Sequence, residues 1–400
     1  MHRKPATLAA LLAVTLLAGS SAVVAAPVGA VAKFPTPEQQ AVLNQTFFDY
    51  DLYTLDVAEV ERQARAGAIR LELGNRSVNL LVEKNNLRGE NYSAVFETKN
   101  GPIVVPERPV VTYKGRLAGN PDSIVRLTAK PDHFTGYVKT RDEWLFIDPL
   151  GDFVDGAGQR DVVVYRATDV RPDPNRACGS HDFESLASNI DLRSPRIISS
   201  AAGTLRAEVA SEVDGEFAEE YGIEVGLDRI ETTMNAVDGI YQAQLGLEIS
   251  LAKSHGWADA DTDPYTSNDA FVTLDQLVAW WNDNLNSPRR DIVHMFAARN
   301  FQFGIAGIAY VGVVCNVQSL SFGISEDLNS SFDRITVAAH EIGHNFDALH
   351  DDEIGCPGVN CNGFGPIMCS FIQGNGSQTF SSCSVDDIGQ HVAQNPRCLD

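Results

Sequence analysis

The chain has 400 residues, of which 44% are hydrophobic and 21% are charged, and its formal net charge is −22. The length allows two or three domains, and the composition excludes a disordered, collagen-like or coiled-coil protein. The acidic excess also argues against nucleic acid as a partner, because binding a polyanion requires basic contacts.

The negative charge is concentrated in one part of the chain. Residues 204–400 contain 8 basic and 29 acidic residues, whereas residues 1–203 contain 23 and 24. The chain therefore has two chemically different halves.

The first residues have the pattern of an export signal. A basic stretch at residues 2–4 precedes an apolar run at residues 8–17, and small residues follow up to Ala26. About ten apolar residues are too few to span a bilayer as a helix. We therefore predict a signal peptide over 1–26, a secreted protein and no membrane span.

Residues 27–170 are predicted to form a mostly β domain. Helices are predicted at its start, over 40–44 and 57–66. The alternation and turn signals that follow predict strands over 68–73, 77–82, 93–98, 110–117, 123–128, 134–139 and 143–147. Residues 171–203 have the composition of a linker, with a proline-containing stretch at 171–175 and small residues at 199–203.

Residues 204–400 are predicted to form an α/β domain. The predicted strands cover 205–213, 247–251, 291–297 and 305–315, and the predicted helices cover 225–244, 270–285 and 336–346. The first of these helices is predicted to place Ile230, Met234, Val237 and Tyr241 on one face. This alternation of strands and helices indicates an α/β sandwich.

The strongest chemical signal is a histidine motif on the last of these helices. His340 and His344 are four residues apart and therefore lie on one helix face, while His350 requires a turn to return as a third ligand. Three nitrogen ligands with an open fourth position describe a catalytic zinc site. Glu341 lies close enough to act as the general base for a water at that position.

The same segment carries the resemblance to a known family. The three histidines, with Met368 in a methionine turn over 365–369, resemble the metzincin pattern, and Asp351 resembles its adamalysin or reprolysin branch, which includes the ADAM-type proteases. The resemblance extends over 204–400, and residues 114–150 resemble reprolysin propeptides. It implies a metzincin catalytic domain, with a twisted mixed sheet, long helices, a zinc helix and a Met-turn, preceded by a mostly β prodomain.

One position departs from the family pattern. Asp347 stands where the family has a glycine that permits the sharp turn after the second ligand. Aspartate is among the few other residues that tolerate the left-handed conformation, so we expect the turn to form at some cost in strain.

A lone cysteine in the N-terminal half fits a regulatory role. Cys178, in the sequence 176–179, resembles the cysteine switch of metalloprotease propeptides, whose thiolate fills the open zinc position. Activation would then cut between Cys178 and Leu205, where Arg193 and Arg196 offer basic sites. The alternative is an idle or dimer-forming cysteine.

The six other cysteines predict three disulfides in an oxidising compartment. The resemblance implies a bond between Cys315 and Cys398. Cys356, Cys361, Cys369 and Cys383 allow three connectivities, among which the sequence does not choose.

Further site residues are implied by the resemblance alone. Substrate would lie along an edge strand, with the specificity pocket beside it, and Met368 would be structural. Calcium would have oxygen ligands near the chain end. The residues concerned are Gly307, Ile308, Ala309 and Tyr310 for the strand, Pro366 and Ile367 for the pocket, and Glu208, Asp291 and Cys398 for calcium.

The sequence thus predicts a secreted zinc endopeptidase made as a zymogen. Its partners would be protein or peptide substrates and its own propeptide. Two alternatives remain: a zinc-binding extracellular module without catalysis, and a zinc hydrolase of non-peptide substrates.

Overall fold

The protein is described from a computed structural model. The structure describes residues 26–173, 175–180, 205–285, 289–362, 365–371, 376–395 and 399. The predicted signal peptide up to residue 25, and Arg193 and Arg196 of the predicted activation region, lie outside these residues.

The N-terminal part is built mainly from strands, as its alternating pattern predicts. Its helices are α1 (Pro37–Thr46) and α2 (Val57–Arg65). Its strands are β1 (Val28–Gly29), β2 (Val31–Lys33), β3 (Asp51–Thr54), β4 (Ala68–Leu73), β5 (Arg76–Lys84), β6 (Ala94–Glu97), β7 (Ile103–Val105), β8 (Thr112–Leu117), β9 (Asn120–Lys130), β10 (His133–Lys139), β11 (Trp144–Pro149), β12 (Asp161–Arg166) and β13 (Ala177–Cys178).

Ten of these strands form one sheet, in the order β1-β4-β5-β8-β9-β10-β11-β12-β3-β2. The strand predicted over 93–98 forms as β6, but it does not join this sheet. It makes an antiparallel hairpin with β7 and pairs in parallel with a strand of the C-terminal part. One hairpin of the N-terminal part therefore belongs to a second sheet, which the local sequence pattern did not indicate.

The C-terminal part is a mixed α/β structure, which agrees with the predicted class. Its elements are β14 (Leu205–Val213), α3 (Gly215–Tyr221), α4 (Ile223–Leu245), β15 (Leu247–Trp257), α5 (Ala270–Asn284), β16 (Ile292–Ala297), β17 (Ile305–Ala309), β18 (Phe322–Glu326), α6 (Ser331–Asn345) and α7 (Ser382–Gln394). The second sheet has the order β13-β17-β18-β16-β14-β15-β6-β7. Its pairs are parallel except β17 with β18 and β6 with β7.

Two predicted strand lengths were wrong. The strand predicted over 305–315 ends at Ala309, because the chain turns through positive φ at Gly312 and Cys315. The strand predicted over 247–251 continues to Trp257, because its second half pairs with β14 on one side and β6 on the other. Neither β18 nor α7 was predicted as an element.

Helix α4 lies between the two sheets and supports α6. It packs against β8 and β9 on one side and against β15 and α6 on the other. Met234, Val237 and Tyr241, predicted to share one face, are buried there, and the Tyr241 hydroxyl donates to Ala339 O of α6 at 2.9 Å. No helix of the described chain, α4 included, is long and apolar enough to cross a membrane.

The N-terminal sheet also contacts the start of α6. Asp148 of β11 is fully buried, and its Oδ2 accepts hydrogen bonds from the Ser331 amide at 2.9 Å and the Tyr165 hydroxyl at 2.6 Å. Phe146 packs edge-on against Phe332, with ring centroids 5.7 Å apart. The helix that carries the histidine motif is thus held by residues from both halves of the chain.

Candidate metal centre

The histidine motif lies on the second half of α6. The helix begins after Ser330, whose Oγ accepts a hydrogen bond from the Asp333 amide at 3.0 Å and so caps its first turn. His340 and His344, four residues apart, present their rings to the same side, with centroids 4.6 Å apart. Both rings are buried.

The chain reverses directly after α6 and brings back His350. Asp347 has a φ of +75°, the left-handed conformation expected for this turn, and its amide donates to His344 O at 2.9 Å. The next amide, of Ala348, donates to Gly343 O at 3.1 Å. Aspartate therefore forms the turn that the family makes with glycine.

This turn gives a testable stability difference. We expect the Asp347→Gly precursor to be more stable than Asp347→Ala by about 1 kcal/mol, because both lose the carboxylate but only alanine keeps a Cβ in the left-handed region. Urea unfolding of the two variants measures the difference. Equal stabilities would contradict the assigned strain.

The three imidazoles converge through their Nε2 atoms. His350 Nε2 lies 3.2 Å from His340 Nε2 and 3.1 Å from His344 Nε2. Every Nδ1 instead faces an oxygen: Ile367 O at 2.7 Å for His340, Ala348 O at 2.7 Å for His344 and Glu353 Oε1 at 3.1 Å for His350.

These outer contacts determine which ring nitrogen carries the proton. A carbonyl or carboxylate oxygen only accepts, so each Nδ1 carries the hydrogen and each Nε2 keeps its lone pair. Burial lowers the pKa of His340 to about 3 and also depresses the pKa of His344, which keeps both rings neutral. Three lone pairs at this spacing repel one another unless a cation lies between them.

The spacing fits zinc. Four ligands about 2.1 Å from a common ion in a tetrahedron are about 3.4 Å apart, close to the 3.1–3.2 Å found here. Neutral histidines oriented by outer hydrogen bonds are also the ligands that zinc prefers. The donor set therefore fits the metal that the sequence predicts.

Cys178 supplies a fourth group at the same place. Its Sγ lies 3.4 Å from His344 Nε2, and one ligand atom from each of the four residues lies within 4.8 Å of the others. Burial, and then the charge of Glu341, raise the pKa of this thiol well above its usual value. A divalent cation acts in the opposite direction, because coordination deprotonates a thiol. Cys178 is a free cysteine in the described chain.

Glu341 lies beside this cluster with one unsatisfied oxygen. Its Oε2 is 3.4 Å from Ser180 Oγ and 3.6 Å from Cys178 Sγ, while Oε1 has no hydrogen-bond partner among the described residues. Burial raises the pKa of Glu341 to about 8. A side chain at Gly307 would overlap the carboxylate, so the glycine leaves the space that Glu341 occupies.

The predicted substrate strand adjoins Glu341. Gly307, Ile308 and Ala309 belong to β17, whose outer edge pairs in parallel with β13, and Tyr310 follows with its hydroxyl 3.4 Å from Asp275 Oδ1. The edge predicted to bind substrate is thus covered by the chain's own cysteine-bearing segment.

One of the two predicted pocket residues, Ile367, contacts His340. Ile367 is buried, and its carbonyl accepts a hydrogen bond from His340 Nδ1 at 2.7 Å. Met368 is fully buried, and a Cβ added at Gly343 would lie 2.8 Å from its Sδ, so it packs against α6 between the histidines. Pro366 is partly exposed. Whether Pro366 and Ile367 wall a pocket stays a prediction.

Two of the three predicted calcium ligands adjoin each other. The Asp291 carboxylate accepts a hydrogen bond from the Glu208 amide at 2.8 Å, and the Asp291 amide donates to Glu208 O at 2.7 Å. Cys398 lies outside the described residues. The calcium site therefore stays a prediction.

The disulfides select one of the three open connectivities. Cys356 bonds to Cys383, and Cys361 bonds to Cys369. Cys315 is also disulfide-bonded. Its predicted partner, Cys398, lies outside the described residues.

Two residues at the centre were missed by the sequence analysis. Glu353 orients His350, and a carboxylate three residues after a candidate ligand is a signal that could have indicated it. Ser180 contacts Glu341, and no motif marks it.

A comparison with known families agrees with this geometry. Residues 227–351 match the reprolysin-like model of metallo-peptidase family M12B. The match begins in α4 and ends just after His350, so it contains all three histidines and Glu341. This match supports a reprolysin-type metzincin, the family that the histidine motif predicts.

Proposed function

We propose that this chain is a secreted zinc endopeptidase synthesised as a latent precursor. In this proposal residues 1–26 are a signal peptide, 27–170 a propeptide domain, 171–203 a linker with the cysteine switch, and 204–400 the protease. Export is supported by the disulfides, which are typical of oxidising compartments.

The observation that carries the proposal is the convergence of three imidazoles at a sheet edge, beside a glutamate with one oxygen that has no hydrogen-bond partner among the described residues. A closed structural zinc site would not need Glu341 buried at its side. The adjoining strand β17 supports a peptide as substrate, because an extended chain can add to a sheet edge through backbone hydrogen bonds.

Each residue has one task in this mechanism. His340, His344 and His350 hold zinc, which when bound would lower the pKa of a water to about 7 and polarise a carbonyl. Glu341 accepts the proton of the attacking water and passes it to the leaving amine. Gly307 and Ala309 orient the peptide through their backbone groups.

Latency follows from what occupies these positions in the precursor. Cys178 Sγ lies where a fourth ligand would be, and β13 lies along the edge that a substrate strand would use. A cut between Cys178 and Leu205 would break the covalent link between this segment and the protease.

Unfolded casein tests the proposal. We expect the form cut within 181–204 to contain one zinc by elemental analysis, to cleave casein, and to lose that activity with a chelator and regain it with zinc. The intact precursor should cleave far more slowly. A cut, zinc-loaded protein that leaves casein intact would contradict the endopeptidase assignment.

A further inference from the structure

Ser180, two residues after Cys178, contacts three different groups at the metal centre. It is 1% exposed. Its Oγ accepts a hydrogen bond from the Ala309 amide at 2.9 Å and lies 3.4 Å from Glu341 Oε2 and 3.1 Å from Cys178 Sγ. Its own amide is 3.3 Å from that sulfur. One small residue thus touches the sheet edge, the candidate base and the switch cysteine.

The hydrogen bonds of residues 179 and 180 with the sheet edge resemble those that an added peptide strand would make. The Gly179 amide donates to Gly307 O at 2.9 Å, and Ser180 Oγ accepts from the Ala309 amide. Gly307 O and the Ala309 amide are successive hydrogen-bonding groups on the outer edge of β17, and in the precursor both already have a partner. Because the acceptor for Ala309 is a side-chain hydroxyl rather than a carbonyl, this contact depends on the identity of residue 180.

The contacts with Glu341 and Cys178 can be made together. A hydroxyl has one proton to donate and can also accept. With the Ala309 amide as donor, the hydroxyl proton is available to Glu341 Oε2, and the Ser180 amide donates to Cys178 Sγ. An amide directed at sulfur stabilises a thiolate, the form in which cysteine binds a metal.

We propose that Ser180 is a second latency residue, which occupies the Ala309 amide and the Glu341 carboxylate and steadies the Cys178 thiolate. The inference rests on the proposed function, because it names a further part of the same inhibited site. Cys178 blocks the metal, whereas Ser180 blocks the base and the sheet edge. Ser180 is a positioning residue and takes no part in peptide hydrolysis.

The test uses the intact precursor with four serine variants. Ser180→Ala removes the hydroxyl, and Ser180→Thr retains it. Ser123→Ala is the matched control, because Ser123 is also buried and its Oγ accepts from the Leu117 amide at 2.7 Å, within the N-terminal sheet. Ser180→Gly is a second hydroxyl-free variant in case Ser180→Ala folds poorly, and circular dichroism checks each fold.

Two readouts do not depend on proteolysis. The first is the alkylation rate of Cys178 in the zinc-loaded precursor. The second is the sulfur-to-metal absorption band of the precursor loaded with cobalt(II). We expect Ser180→Ala and Ser180→Gly to be alkylated roughly tenfold faster and to cleave casein roughly tenfold faster without a cut, because a buried hydrogen-bonded group is lost. Ser180→Thr and Ser123→Ala should stay within about twofold of the parent in both rates.

The outcomes separate this inference from the proposed function. If the parent shows the cobalt–sulfur band, Cys178→Ala abolishes it, and Ser180→Ala is alkylated no faster than the parent, the role of Ser180 is overturned and the cysteine switch stands. If the parent shows no such band, the cysteine switch itself fails, and the role of Ser180 falls with it.

Discussion

Replacing Glu341 with glutamine is expected to reduce casein cleavage by the cut protein about 10²–10⁴-fold, the usual contribution of a general acid–base group. Glutamine has nearly the same shape and fits beside Gly307, but it cannot accept a proton from water. Zinc should remain bound, because none of the three histidines contacts position 341 as an outer partner. Initial rates and elemental analysis of the same sample measure both effects.

Glu353→Gln is the matched control for this substitution. Glu353 lies 3.1 Å from His350 Nδ1, so its loss should weaken zinc binding about 10–100-fold without removing the base. At saturating zinc, Glu353→Gln should cleave casein at close to the parent rate, whereas Glu341→Gln should not. A Glu341→Gln protein as active as the parent would show that another group is the base.

Glu231→Gln is expected to lower the free energy of unfolding of the precursor by about 3–5 kcal/mol. Glu231 of α4 is 3% exposed and accepts from Arg88 Nη2 at 2.9 Å and Arg108 Nη2 at 2.5 Å, both from the N-terminal part. The cost arises because the neutral variant leaves the buried guanidinium of Arg88 without its counter-ion, while Arg108 keeps only Asp228.

Urea unfolding of the precursor measures this effect, and Glu72→Gln is its control. Glu72 pairs with Arg70 at 3.3 Å, but both side chains are at least one-third exposed, so the substitution should cost less than about 1 kcal/mol. If the two variants unfold at the same urea concentration, Glu231 does not link the halves of the chain as described.

Local sequence was sufficient to predict the features that depend on helical periodicity or on a fixed spacing between residues. The face of α4 formed by Met234, Val237 and Tyr241 was predicted from helical periodicity, and it is buried. The i, i+4 spacing of His340 and His344 indicated one helix face, and the same motif indicated the family that residues 227–351 match. These properties depend on a few neighbouring residues and on helix geometry alone.

The hairpin of β6 and β7 shows where local patterns were insufficient. Its alternation predicted a strand at 93–98, but which sheet it joins depends on β15, more than 150 residues later in the chain. Pairing over that separation is decided by the whole packing arrangement, and an alternating strand fits either sheet equally well.

The metal centre also combines features set by local sequence with features set by long-range packing. The histidines could be named from their spacing, whereas the proton positions on their rings depend on Ile367 O, Ala348 O and Glu353, which meet them only after the chain has turned back. The contact of Ser180 with Glu341 joins residues 161 positions apart. Residue types and short spacings specify which groups can perform the chemistry, but their neighbours and protonation are set by long-range packing, because buried hydrogen bonds form between whatever groups the completed fold brings together.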